Sequence, residues 1–92
     1  MARIYQAESM GMADVRIALV RDRARADLLA CRVSSYGMAT GDARWFITTD
    51  RAQATVTAYF CDEGSANLRV CFVSSLGEAG WLRLHRLQGR LG

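Results

Sequence analysis

Apolar residues in this chain come in short runs separated by polar steps. The runs span 15–20, 28–33, 45–49, 56–61, 68–73 and 81–86. Each has strand length, is rich in β-branched and aromatic residues and is bounded by turn-forming material, which predicts β-strands. Alternation is clearest in the fifth run, where Leu68, Val70 and Phe72 share one face and Arg69 stands between them. Cys71 and Val73 make its other face partly apolar as well, so such strands are expected to be covered on both sides. The separating steps, Arg21-Asp22, Ser34-Ser35, Asp50-Arg51, Asp62-Glu63 and Ser74-Ser75, favour turns through side-chain bonds to nearby backbone. Residues 12–33 alone, rich in Ala, Arg and Leu, also satisfy helix propensity. The same register gives clear strands further along, so the β reading takes precedence.

A five-residue pattern, small–any–small–turn-former–apolar, precedes each run. It begins at Gly11, Ala24, Ala39, Ala52, Gly64 and Gly77, and its second small residue is Ala13, Ala26, Gly41, Ala54, Ala66 and Ala79. The second column therefore advances in steps of 13, 15, 13, 12 and 13 residues. Near-constant steps of this kind mark a repeat architecture. Gly or Ala at all twelve positions predicts that neighbouring backbone passes close by and leaves no room for a longer side chain. Asp14, Asp27, Asp42, Thr55 and Asn67 follow the second column and are expected to accept a local backbone hydrogen bond at each bend. The reading is a mainly β, compact single domain over 1–92, built of six repeated turn–strand units centred on 13, 26, 41, 54, 66 and 79, with 87–92 as a short basic tail.

Composition narrows the context. Ninety-two residues make one domain with a modest core. No apolar run is long enough to span a bilayer, and the first residues lack the apolar core of a signal peptide. A cytoplasmic location without membrane contact is the expectation. Three cysteines, Cys31, Cys61 and Cys71, are too few and too irregularly spaced for a disulfide scaffold, and read as buried reduced thiols. The net charge of +3 is unevenly placed: Arg83, Arg86 and Arg90 stand near the C-terminus without an acid after residue 80, and 21–25 carries a second basic cluster. These are possible anion contacts.

The chain resembles a family of small bacterial domains of unknown function, the 7(1) septoil knot domain. The resemblance rests on Ala2-Arg3-Ile4-Tyr5-Gln6, Ala13-Asp14-Val15, Ala26-Asp27-Leu28, and Cys71 to Ser75 leading into Glu78-Ala79-Gly80-Trp81. It covers residues 2 to about 84 and implies a backbone tied in a seven-crossing knot, against the general rule that chains avoid threading. Unit three departs by two extra residues and by Gly41 in place of Ala, and units two and four carry Arg21-Asp22 and Asp50-Arg51 where the family favours Asp-Ser. The resemblance carries no catalytic or ligand residues.

The catalytic inventory is short. His85 is the single histidine and reads as a partly exposed strand or tail residue rather than a general base. The recurring aspartates belong to equivalent, separated bends, and no metal-ligand spacing or phosphate-cradling glycine loop occurs. No cofactor is expected. Arg44-Trp45-Phe46 and Trp81-Leu82-Arg83 interleave basic and aromatic residues as base-stacking surfaces do, although such aromatics more often fill a core. The leading functional reading is a non-catalytic structural or protein-interaction domain, monomeric or weakly self-associating, with another protein as its partner. The alternative is weak nucleic-acid or polyanion binding through the Arg-rich turns and tail. A small enzyme is the third and weakest reading.

Overall fold

In the computed structural model, which describes residues 2–92, the chain forms seven strands. They are β1 (Ala2–Gln6), β2 (Val15–Leu19), β3 (Leu28–Arg32), β4 (Arg44–Ile47), β5 (Val56–Phe60), β6 (Leu68–Val73) and β7 (Gly80–Trp81). Single 3-10 turns at Met10–Met12, Arg23–Arg25, Tyr36–Met38, Arg51–Gln53 and Leu76–Glu78 punctuate the links. Residues 12–33 are strand, turn and strand, and the described residues contain no α-helix, long apolar membrane-crossing helices included.

Strands β1 to β6 close into a parallel barrel in the circular order β1-β5-β2-β6-β3-β4. Following the chain, β1 to β4 make one circuit. β5 then enters between β1 and β2, and β6 between β2 and β3, on a second circuit. Each strand meets one neighbour through its first half and the other through its second. In β5, residues 56–58 pair with β1 and 58–60 with β2. Such stepping inclines the strands steeply to the barrel axis. Parallel neighbours usually need a helical crossover. Here links such as 7–14 and 20–27 are far shorter, because the chain moves on around the barrel instead of returning beside the strand it has just left.

Alternate residues fill the interior in layers. Ala2, Val15, Leu28, Val56 and Leu68 form the first, and Ile4, Ile17, Ala30, Trp45, Ala58 and Val70 the second, all buried. A second cluster lies on the other face of β3 and β6, where Leu29, Cys31, Cys71 and Val73 are covered by Leu76 and Ala79. Two-sided apolar packing is thus concentrated on that flank. Cys61 is only half-buried, and all three cysteines are free.

Three expectations need correction. The sixth barrel strand is residues 2–6 and not 81–86. The barrel leaves open only the first half of β3, because β4 meets β3 only at Cys31 and Arg32. Gly80 and Trp81 fill that gap antiparallel to Leu29 and Leu28, and the chain beyond turns away with Leu84 exposed.

The register of unit three also shifts. Its 3-10 turn is Tyr36–Met38, so Gly37 is the counterpart of Gly11 and Ala39 the counterpart of Ala13. Ala39 is fully buried and Gly41 is exposed. Gly41 instead opens the extra turn, with φ of +68°, a conformation that glycine adopts without strain.

The first small column is not sterically closed. A Cβ on Gly11 would meet nothing within 4 Å, and Gly64, Gly77, Ala24 and Ala52 are likewise exposed at turn centres. Close packing applies to the second column, most fully at Ala26 and Ala39, while Ala13, Ala54, Ala66 and Ala79 are half-buried.

Candidate functional site

The polar residue after the second column sits where the chain re-enters the sheet, and it grips a strand distant in sequence. Asp14 donates its backbone N–H to the Thr57 carbonyl (2.8 Å) and accepts the Thr57 N–H on Oδ2 (3.0 Å). Asp27 holds Arg69 in the same way, at 2.8 and 3.0 Å. Thr55 holds Arg3 at 2.8 and 2.9 Å, and Asn67 holds Arg16 at 3.0 and 2.8 Å. These two-point clasps tie residues 42 to 52 positions apart and are not the local bends expected from sequence. The local bonds belong to the residue ahead of each 3-10 turn: Asp22, Asp50 and Ser75 accept from the N–H groups of Ala24, Ala52 and Gly77.

Asp42 plays a different part. Displaced by the extra turn, its carboxylate accepts from Trp81 Nε1 (2.9 Å) and from the N–H groups of Gly89 (2.5 Å) and Leu91 (3.1 Å). The Leu91 carbonyl accepts from Thr55 Oγ1 at 2.9 Å, and the Leu91 side chain is buried in the barrel core. Residues 87–92 are therefore a plug at the end where the strands begin, with Arg90 left exposed on its outside.

The densest cluster of ionisable groups centres on Asp27, at the entrance to β3. Arg69 Nη2 lies 3.3 Å and Arg83 Nε 3.7 Å from Oδ1, and His85 Nε2 lies 3.8 Å from Oδ2. Burial pushes the Asp27 carboxyl up. The Arg69 N–H, the Arg69 guanidinium and His85 outweigh that effect and hold it below the ordinary aspartate value. A cleft of about 370 Å³ opens here, lined by Asp27, Glu63, Ala66, Asn67, Leu68, Arg69 and His85.

His85 is the half-buried residue of the C-terminal segment expected from the sequence, and it is held on three sides. Its ring stacks on Trp81 with centroids 5.5 Å apart. Nδ1 accepts the Leu87 N–H at 3.1 Å, so the Nε2 proton faces the Asn67 carbonyl at 3.1 Å. The sole lone pair of this tautomer is thus occupied, and a general base needs a free one. Asp27 is similarly engaged by backbone and guanidinium groups. As arranged, the cluster fastens the C-terminal segment to β3 and β6.

The remaining predicted groups are scattered. Arg23 pairs with Glu78 (2.6 Å) and Arg25 with Glu63 (2.5 Å), while Arg83 Nη2 donates to the Ala24 carbonyl (2.9 Å). Arg86 and Arg90 are exposed. The Cys71 thiol lies against the Arg21 and Phe72 carbonyls, and that of Cys31 against the Arg32 carbonyl; neither contacts His85. Among the described residues, no three His, Cys, Asp or Glu side chains converge as a metal site would require.

No curated protein and no solved structure matches this chain. A family comparison gives a different answer: residues 1–82 match the 7(1) septoil knot domain, and the chain belongs to that family.

Proposed function

We propose that this is a non-catalytic domain whose work depends on the persistence of its fold, a structural or protein-interaction module with a knotted, kinetically stable backbone. One observation carries the reading: the groups able to do chemistry are committed to holding the chain together. Asp14, Asp27, Asp42, Thr55, Asn67 and His85 all bond to backbone of other segments. The two-circuit winding and the family membership support a knot, since a strand that enters between two earlier strands must pass beside both. A monomer working in a reducing, cytoplasmic setting, with another protein as its partner, fits three free thiols and a closed barrel whose one edge strand, β7, is two residues long.

The polyanion alternative has less support. Arg23, Arg25 and Arg83 already have acidic partners, which leaves Arg21 in the 21–25 cluster and Arg86 and Arg90 near the C-terminus as the exposed charges. The test is proteolysis under native conditions with a concentrated, unspecific protease. A kinetically stable module loses intact chain at a rate independent of protease concentration, set by its own slow unfolding. Cleavage that scales with protease concentration would count against persistence as the working property.

A further inference from the structure

The barrel's two ends differ. Leu91 plugs the end where the strands begin. At the opposite end the inward-facing alternation continues for one more layer, and every barrel strand contributes to it. Gln6, Leu19, Arg32, Ile47, Phe60 and Phe72, one from each of β1 to β6, line a concave mouth of about 310 Å³. Leu19 is 51% and Ile47 40% exposed, whereas the aliphatic residues in the layer beneath are fully buried. Phe60 and Phe72 are half-buried and pack on the core, Phe72 edge-on against Trp45.

The polar groups at the mouth are uncommitted. Arg32 places its guanidinium 5.4 Å from the centre of the Phe72 ring and has no carboxylate within ion-pair distance among the described residues. Acids in the turns after β2, β4 and β5 accept local backbone bonds: Asp22 from the Ala24 N–H, Asp50 from the Ala52 N–H and Asp62 from the Ser65 N–H. A mouth with an apolar ring, one free guanidinium and one amide has the character of a small-ligand site, and barrel mouths are a common place for one. A guanidinium fork matches a carboxylate in two parallel bonds.

We propose that this mouth binds a small apolar carboxylate, with its hydrocarbon part on Leu19, Ile47, Phe60 and Phe72 and its carboxylate held by Arg32, seconded by the Gln6 amide. A second copy of the chain is the alternative occupant, and sedimentation distinguishes it. The site lies at the far end from the Asp27 cluster and does not depend on the role argued for the fold.

The test is an amide-detected NMR titration of the full chain with sodium octanoate and, separately, neutral 1-octanol. Saturable shifts at residues 6, 19, 32, 47, 60 and 72 are expected, with octanoate binding roughly tenfold tighter than octanol. Arg32→Gln should abolish that preference, octanoate losing far more affinity than octanol. Arg32→Lys should keep part of it, since the charge stays and the fork is lost, and the spectrum of each variant reports its own folding. Absence of saturable shifts, shifts centred on 83–90, equal affinity for the two probes, or a dimer that forms through the mouth on sedimentation would each overturn the proposal.

Discussion

An aspartate, asparagine or threonine placed just ahead of a strand does two things in this fold: its backbone donates across the barrel and its side chain receives the reciprocal bond. Loss of the side chain leaves a strand N–H without its partner in a partly buried position. Replacing Asp14, Thr55 or Asn67 with Ala should therefore cost about 1–2 kcal/mol, and Asp27→Ala about 2–3 kcal/mol because a guanidinium loses its partner too. Urea denaturation of the four variants measures this, and Arg86→Ala is the neutral control. Asp27 also predicts a pH dependence. Its carboxyl binds a proton less tightly folded than unfolded, so it contributes stability above the ordinary aspartate value of 3.8 that is lost as pH falls through its lower folded value. Asp27→Asn should flatten that part of the acid limb.

The small residues separate into two kinds, and substitutions distinguish them. Ala39→Leu forces a larger group into a fully buried site and should cost about 1–3 kcal/mol. Gly11→Ala meets open space and should be neutral or stabilising by up to about 1 kcal/mol. Equal midpoints for these two variants in chemical denaturation would contradict the assignment.

At the level of elements, five of the six barrel strands lie within apolar runs that stand out in the sequence. The sixth, β1, has no small–any–small step ahead of it to mark it, whereas the 81–86 run has one. Apolar content made 81–86 look like a strand, but a closed barrel has no edge to offer it beyond the gap beside β3. The unit-three register was obscured for a related reason. Two small residues, Ala39 and Gly41, stand two apart just as in the other units, and only the positive φ of Gly41 and the burial of Ala39 separate the extra turn from the repeat.

The clasps left a visible trace as a column of Asp, Thr and Asn, although nothing in the spacing identified their distant partners. Nor did composition mark 87–92 as a plug, because its two leucines, Leu87 and Leu91, are set among Gln, Gly and Arg. Leu91→Ala should cost about 2–4 kcal/mol, as for other buried leucines. Asp42→Ala should release the same segment, read as new rapid amide exchange at residues 88–91.

For the whole molecule, topology outweighs any single contact. Two circuits of strand around one barrel, interleaved so that β5 and β6 lie between earlier strands, make nearly every pairing non-local. Folding must close those loops before most contacts form, which slows it for so short a chain. The chain contains no proline, so prolyl isomerisation supplies no slow phase. Unfolding is expected to be slow by the same geometry, since a strand held between two neighbours gains little freedom until both release it. The most direct measurement is refolding of the reduced, fully denatured chain by stopped-flow and manual mixing, followed through Trp45, which is buried in the core. A dominant phase of seconds or longer, with matching slow unfolding, is the predicted result. Complete single-phase refolding within milliseconds would contradict the persistence that this account draws from the interleaved winding, and the knot proposed for it.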